Sequence, residues 1–546
     1  MLGTLAAYWP VFSAGFIWDD DAYVTANPLL SAPDGLSRIW FSAHSQSQYF
    51  PLVFTTLRIE YSFWGLNPLG YHVVNVALHI VNALLAWALL RRLTVPGAWL
   101  AAAIFALHPV QVETVAWVTE LKNTESTLFY LLALFAWWRF CRGQSPWFYL
   151  LALGLHALAL FAKTTACTLP AAMLLVLWMK KEPLGWRRVA QTLPFVGLGL
   201  SLGLLSVWWE KHLGDYAPQL HLLGGPLDRL LIATHALWFY AGKVFWPLNL
   251  TFSYPRWEIN AAKLSQYLWL AGCLAVAAIL WVYHQAWDRK VTAAILFFVA
   301  ALSPLLGFIP LYTFYFSYVA DHYQYLACLG PVALAVGLGA HFWGRWPAAR
   351  RWQTPAAALL LIVLGLLTWN QCFAYRSPEA LWRDTLAKNP RSWMAHTNLG
   401  RLLAQQGDFP QAETNYLAAL ELCPTEESIH YNYANLLART DRLDAAVAQY
   451  RESLRLAPDK AQAHNNLGIV LNRQHHPAEA ITEYERALFH EPDYADAYYN
   501  LGNVLSAEHR LDLAVVAYQR ATRLNPGSQV FRKRLQALTA SPNLAP

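Results

Sequence analysis

Five prolines, Pro390, Pro424, Pro458, Pro492 and Pro526, stand 34 residues apart each time. A fixed period of this length constrains the fold more than any other feature of the chain. Each unit is too small to bury its own apolar face and must stack on its neighbours. Between the prolines one pattern returns: His396-x-Asn398-Leu399-Gly400, then Ala412, Tyr416 and Ala419. It recurs as His464-x-Asn466-Leu467-Gly468 with Ala480, Tyr484 and Ala487, and as Asn500-Leu501-Gly502 with Ala514, Tyr518 and Ala521. A looser copy holds Asn432-Tyr433-Ala434, Ala446 and Tyr450. Gly and Ala fall where two helices touch, and Leu and Tyr fill the gap between them. The spacing predicts four full helix-turn-helix units, with Pro378 to Pro390 as the second half of a further copy.

A 34-residue unit with this pattern is the tetratricopeptide repeat (TPR). Residues 1–370 are different in kind. They hold long uncharged runs, such as Ala271 to Tyr283 and Ala356 to Trp369, that approach the ~20 residues needed to cross a bilayer. The 546 residues are 56% hydrophobic and 14% charged, against about 25% charged in soluble domains. One soluble globule, a disordered chain and a disulfide scaffold are all excluded. The expected fold is all-α: a polytopic membrane helix bundle over 1–370, then a TPR solenoid over 371–546 with flanking half repeats.

Charge follows the same division. From Gln371 onward there are 18 Lys+Arg and 19 Asp+Glu, leaving 22 and 15 in the first 370 residues. A basic surplus in the membrane half is explained by loop orientation. Nucleic-acid binding would concentrate it on a soluble domain instead. The six cysteines, at 141, 167, 273, 328, 372 and 423, show no metal-ligand spacing and read as small hydrophobes.

Twelve apolar segments are candidates for spans, at 2–17, 69–90, 97–117, 124–140, 147–162, 165–179, 189–208, 229–247, 266–284, 291–311, 324–343 and 356–370. Basic clusters such as Arg91-Arg92, Lys180-Lys181 and Arg289-Lys290 mark cytoplasmic loops. Their alternation holds throughout only if 229–247, with Arg229, His235 and Lys243, lies at the interface or re-enters. That gives about eleven spans and places the repeats outside. Segment 2–17 reads as an uncleaved first span; Ser13-Ala14-Gly15 offers the alternative of a signal-peptide cleavage.

The loop 18–68 opens with Trp18-Asp19-Asp20-Asp21. Three consecutive carboxylates repel one another and raise at least one pKa, which suits a general base or a divalent-cation site at Asp19–Asp21. A solvated acidic cap on the outer side of the bilayer is an equal reading. His108-Pro109-x-x-x-Glu113 is followed by Glu120-x-Lys122-Asn123. Ionisable groups at this depth are expensive and usually functional, although a Pro-kinked helix with polar glue between spans gives the same pattern. Lys163 interrupts two apolar runs, where it either snorkels or binds a lipid phosphate. Asp321-His322-Tyr323-x-Tyr325 follows an aromatic stretch and reads as a belt or as a headgroup or sugar platform. His72, Asn75, His79 and Asn82 form one polar stripe suited to interhelical hydrogen bonds. No P-loop, GxSxG or HExxH pattern is present.

The runs Phe16-Ile17-Trp18-Asp19-Asp20, Tyr49-Phe50-Pro51-Leu52, Trp64-Gly65-Leu66-Asn67-Pro68-x-Gly70-Tyr71-His72, His108-Pro109-Val110-Gln111-x-Glu113 and Ala320-Asp321-His322-Tyr323-Gln324-Tyr325-Leu326 carry a resemblance. The chain resembles the bacterial relatives of the transmembrane-and-tetratricopeptide O-mannosyltransferases, which share the C-type glycosyltransferase (GT-C) membrane fold. The resemblance covers nearly the whole chain. It implies a polyprenyl-phosphate-linked sugar as donor and a protein hydroxyl as acceptor, in the bacterial inner membrane with the site on the periplasmic side. It also implies catalysis at Asp19 and Asp20 and donor binding around His108, Glu113, Lys122, Lys163, Asp321 and His322. The animal enzymes tend to carry Arg where this chain has His322, and close bacterial relatives Arg where it has Leu121. Lys122 and Lys163 are then the cations left to balance a donor phosphate. Asn398, Asn432, Asn466 and Asn500 recur every 34 residues, and such a row can pair with the backbone of an extended acceptor peptide. The competing role for these amides is to tie adjacent repeats together. Two other function classes stand beside the transferase: a membrane-anchored TPR scaffold without catalysis, and a transporter. Eleven spans are excessive for an anchor, and residues 1–370 show no internal repeat of the transporter kind.

Overall fold

The computed structural model describes residues 1–42, 48–213, 224–309, 311–345 and 350–539. Every regular element among them is helical, as the sequence predicts. The chain forms two compact units, Met1–Asn389 and Pro390–Pro546. The helix Pro378–Lys388 lies within the first.

The described part of the second unit is built from four helix pairs and a closing helix, Gln529–Thr539, packed on the last pair. Trp393–Gln406 packs on Phe409–Leu422, Glu427–Arg439 on Leu443–Leu456, Ala461–Arg473 on Pro477–His490, and Ala495–Ala507 on Leu511–Leu524. The recurring residues meet as their sizes require. A Cβ on Gly468 would stand 2.8 Å from the Tyr484 ring, and one on Gly502 equally close to Tyr518. The repeated histidine is a clamp. Nε2 of His396, His430 and His464 lies 3.1, 2.9 and 3.0 Å from the carbonyls of Pro390, Pro424 and Pro458. Nδ1 of each reaches the second helix, at Asn415, Gln449 and Glu483.

In the first unit four described helices are individually long and apolar enough to cross a membrane: Pro68–Arg92, Trp186–Trp209, Leu264–Val282 and Arg351–Tyr375. A fifth is obtained if Ala98–Leu107 and Pro109–Ala116, bent by 50°, count as one. This is fewer than eleven, and the reasons are local. Segment 2–17 is a short helix, Leu2–Ala7, followed by a 3-10 turn at Trp9–Ser13. Leu121–Cys141 starts with Lys122, Asn123 and Glu125, and Pro226–Phe245 carries Asp228, Arg229 and Lys243. Trp147–Ala162 stops at Lys163 after 16 residues. The long apolar helices turn most of their surface outward: Leu264–Val282 is 6% buried over its apolar window. Outward apolar faces of this extent need a bilayer or a partner.

Pro68–Arg92 organises the interior. Asn67 caps it by accepting from Leu69 N at 3.1 Å, with Pro68 at the first position, where its missing N–H costs nothing. Its polar stripe bonds across helices. Asn75 donates to the Trp117 carbonyl at 3.2 Å, Asn82 to that of Thr124 at 2.8 Å, and His79 Nδ1 lies 2.8 Å from Tyr325 Oη. The stripe thereby fixes the segment 117–124 that carries most of the site.

Candidate functional site

The polar residues singled out from the sequence sit where helices break. A residue before proline is pushed out of the helical region, so Ala98–Leu107 ends at an extended His108. The backbone then runs through short turns, Val112–Ala116 and Val118–Glu120, before Leu121–Cys141 begins. Lys163 is another extended residue, between Trp147–Ala162 and the 3-10 turn Thr164–Thr168. Asp321–Gln324 is a third such turn. Irregular backbone at membrane depth is tolerated only where protein buries it or a cavity receives it, and these three breaks converge.

Their centre is Glu120, which is fully buried. Its Oε1 lies 2.9 Å from Lys122 Nζ and 3.8 Å from His322 Nε2; its Oε2 lies 3.6 Å from Lys163 Nζ and accepts from Asn123 Nδ2. Burial pushes this carboxyl up, but His322, Lys122 and Lys163 outweigh burial and bring it down to about 2. Burial lowers Lys163 to about 8 despite Glu120. Lys122 is pulled down by burial and more than restored by Glu120 and Asp19. Its ammonium also lies over the Trp117 and Tyr23 rings, at 5.4 and 5.6 Å. On the other side of His322, Nδ1 is 3.1 Å from Glu113 Oε1, and the His322 backbone N donates to Glu113 Oε2 at 3.1 Å. Asn123 donates to the His322 carbonyl at 3.0 Å, closing the ring of contacts.

The adjacent aspartates face different tasks. Asp20 is fully buried and satisfied: Oδ2 accepts from Ile17 N at 2.8 Å, and Oδ1 from Thr119 N at 2.9 Å and Thr119 Oγ1 at 2.5 Å. It staples the start of the first loop to the Glu120 turn. Asp19 is half-buried, and its Oδ1 has no hydrogen-bond partner. Burial pushes Asp19 up to about 6, with Lys122 pulling the other way and Glu120 adding to the rise. Trp18 sets this divergence with φ +49°, a left-handed conformation rare for a bulky residue. Its ring packs edge-on against Trp382 at 5.1 Å, Phe252 at 6.0 Å and Phe316 at 6.4 Å. Asp21 is exposed and accepts from Thr25 Oγ1 at 2.8 Å. The three carboxylates therefore do not converge as a cation site would require. Among the described residues no group of three His, Cys, Asp or Glu is arranged to hold a metal ion.

The structure thus brings together Asp19, Glu113, Lys122, Lys163 and His322 around Glu120. Asp321 stands beside them, buried, accepting from Tyr254 Oη on both oxygens at 3.0 Å. His108 is placed elsewhere: its Nε2 lies 2.9 Å from the Val244 carbonyl, and its Nδ1 accepts from Val110 N at 3.3 Å. Backbone groups occupy both nitrogens. Glu120 and Asn123 stand in the sequence with no role of their own, and Thr119, Trp117 and Tyr254 join the site without a sequence signal. The signal for Glu120 was its place two residues before Lys122.

The asparagine row is divided. Asn398 and Asn432 donate to carbonyls of their own helices, at Met394 and Ser428, at 2.8 and 2.7 Å. Asn466 donates to Tyr431 Oη and Asn435 Oδ1 of the preceding repeat, and Asn500 to Asn465 Oδ1 at 2.9 Å. All four remain half-buried.

Residues 50–209 match the model of the dolichyl-phosphate-mannose-protein mannosyltransferase family. Residues 390–458, 425–488, 478–508 and 495–528 match tetratricopeptide-repeat models. Protein O-mannosyl-transferase Tmtc1 of Drosophila melanogaster is 25% identical over 77% of this chain and 60% of its own length. Protein O-mannosyl-transferase F38B6.6 of Caenorhabditis elegans is 23% identical over 78% and 62%. This chain is a homologue of these transferases. Human Protein O-mannosyl-transferase TMTC4 extends the set at 27% identity over 74% of the chain. The chain spans about three-fifths of the length of these three relatives. The mannosyltransferase match covers Glu113, Glu120, Lys122 and Lys163, four of the clustered residues.

Proposed function

We propose that the chain is a membrane glycosyltransferase that moves a sugar from a polyprenyl-phosphate donor to a hydroxyl of a protein acceptor. The observation that carries this reading is the buried cluster. A half-buried carboxylate with an oxygen that lacks a hydrogen-bond partner, Asp19, stands in the electrostatic field of Lys122 and His322, with Lys163 bound to the same Glu120. In the reaction Asp19 takes the proton of an acceptor Ser or Thr. The freed oxygen bonds to the sugar's anomeric carbon as that carbon's bond to phosphate breaks. The electron pair leaves with the phosphate, and the two lysines exceed Glu120 by one positive charge that offsets it. The family matched over residues 50–209, the dolichyl-phosphate-mannose-protein mannosyltransferases, carries in its name a donor of this class. A scaffold has no need of such a buried charge cluster.

The basic loops support an orientation with loop 18–68 and the repeats on the periplasmic side of a bacterial inner membrane. A cysteine placed at Leu535 is expected to react with a membrane-impermeant maleimide added outside. Labelling only after the inner face is opened overturns the orientation.

In this reading the repeats hold an extended stretch of the acceptor protein. Among the described contacts Asn398 and Asn432 donate to carbonyls of their own helices, so a peptide can replace those bonds at little cost. Asn466 and Asn500 already tie repeats together. With reconstituted chain, a polyprenyl-phosphate sugar and an unfolded protein acceptor, the double change Asn398→Ala/Asn432→Ala is expected to raise KM for the protein about tenfold. Hydrolysis of the lipid donor should be unaffected, because uniform binding energy is lost without touching the chemistry. An unchanged KM in a folded variant makes the row structural.

A further inference from the structure

One cavity of the first unit is lined by none of the residues of the Asp19 cluster. It encloses about 840 Å³ among five helices: Pro68–Arg92, Leu121–Cys141, Leu169–Met179, Arg289–Leu302 and Leu329–Arg345. Its walls are aliphatic and aromatic, with Leu90, Leu134, Val176, Phe297 and Ala333 on successive helices. Along the last helix it is lined from Leu329 to Arg345, about 24 Å by helix rise. That is longer than one leaflet's share of a hydrocarbon core about 30 Å thick. An apolar cleft of this length between helices fits lipid chains.

Its mouth is basic. Lys290, His341 and Arg345 line it, and the single acidic residue among its described lining is Asp288. Asp288 lies 3.5 Å from Lys290, whose Nζ also donates to the Thr94 carbonyl at 3.0 Å. Lys180, just past Leu169–Met179, is held below the ordinary lysine value by partial burial and by Lys290 and Arg142. Cations crowded at the ends of several helices, with Asp288 as their one acid in the described lining, lower their mutual repulsion by taking up an anion. Basic pockets between membrane helices bind anionic lipid headgroups for this reason.

We propose that the cavity holds an anionic glycerophospholipid, with its acyl chains in the apolar cleft and its phosphate at Lys290 and Arg345. The alternative occupant is the polyprenyl chain of a sugar donor, and the geometry disfavours it. The helix Leu121–Cys141 carries Lys122 at one end and leads to Arg142 at the other, about 30 Å apart. A donor whose phosphate is at Lys122 leaves the basic mouth unused. A phospholipid satisfies the cleft and the mouth together.

The test uses the full chain, purified in detergent, exchanged into nanodiscs of phosphatidylglycerol or phosphatidylcholine, released, and weighed by native mass spectrometry. One phosphatidylglycerol per chain is expected to stay bound, in clear preference to phosphatidylcholine. Lys290→Gln/Arg345→Gln should weaken retention about 25-fold, at roughly fivefold for each cation. Gly337→Leu places its side chain into open space at the cavity wall, where a Cβ meets nothing within 4 Å. It should expel either lipid while leaving both mouth cations in place, so it decides the matter if the charge variant fails to fold. Equal retention of the two lipids, retention untouched by Gly337→Leu, or displacement of phosphatidylglycerol by polyprenyl phosphate overturns the assignment.

Discussion

Asp19→Asn is expected to lower sugar transfer at least ~100-fold, the usual contribution of a positioned general base. The fall should appear in kcat, with donor binding retained, because the amide keeps the shape and loses only the proton acceptor. Asp20→Asn should behave differently. One of its oxygens becomes an NH2 facing either Ile17 N or the two Thr119 donors. A donor opposite a buried donor costs about 1–3 kcal/mol. Its transfer rate per folded molecule should stay near that of the parent, while its thermal stability falls. The pH profile separates the two further. Asp19 works as a base only when ionised, and burial sets its pKa at about 6. Transfer by the parent should therefore rise with pH through about 6 and level off above it. The Asp19→Asn protein should lose that limb. Undiminished transfer by Asp19→Asn removes it from the mechanism. A per-molecule loss in Asp20→Asn as deep as in Asp19→Asn makes the pair a single unit.

The division between these neighbours was not legible in the sequence. It depends on the left-handed backbone at Trp18 and on Thr119, 99 residues further on. Neither leaves a local trace in the Asp triplet. What was legible is what repeats or breaks locally. The 34-residue period exposes the solenoid because a Gly-on-Tyr contact recurs in three of the four copies, at Gly400 and Tyr416, Gly468 and Tyr484, and Gly502 and Tyr518. The dipeptide His108-Pro109 marks a bent helix because proline excludes the helical region before it. The same dipeptide does not show that the His108 imidazole bonds to the backbone at Val110 and Val244, apart from the cluster. Lys122, Lys163, Glu113 and His322, all at helix breaks in the sequence, meet in one cluster in the fold. Glu120 stood in plain sight, but its worth comes from Lys163 and His322, 43 and 202 residues away. Span number suffered from the same cause. Breaks and polar first turns shorten the apolar helices, and neighbouring helices supply the missing backbone partners.

The largest stability effect is expected at Glu120. Its carboxylate is the common counter-charge of Lys122 and Lys163, both buried. Glu120→Gln keeps the size and removes the charge, leaving two ammonium groups facing one another without a shared acid. Breaking a buried ion pair from one side costs about 3–5 kcal/mol, because the remaining charge stays desolvated. The variant should unfold at markedly lower temperature in detergent and lose transfer with it. Adding Lys163→Met should recover part of that loss, since one uncompensated cation is removed and an apolar chain of similar length fills its place. Lys163→Met alone should be the mildest of the three, because Lys122 keeps Glu120 at 2.9 Å. The sign of the pH effect follows from the lowered pKa of Glu120. A carboxyl ionised more readily in the fold, at about 2, than unfolded, at about 4.3, stabilises the fold at every pH above the higher value. That contribution is lost as pH falls from about 4.3 towards about 2. The parent should therefore lose stability over this acid range, and Glu120→Gln should lose less. If Glu120→Gln is as stable as the parent at neutral pH, the two lysines do not depend on it and Glu120 is no hub.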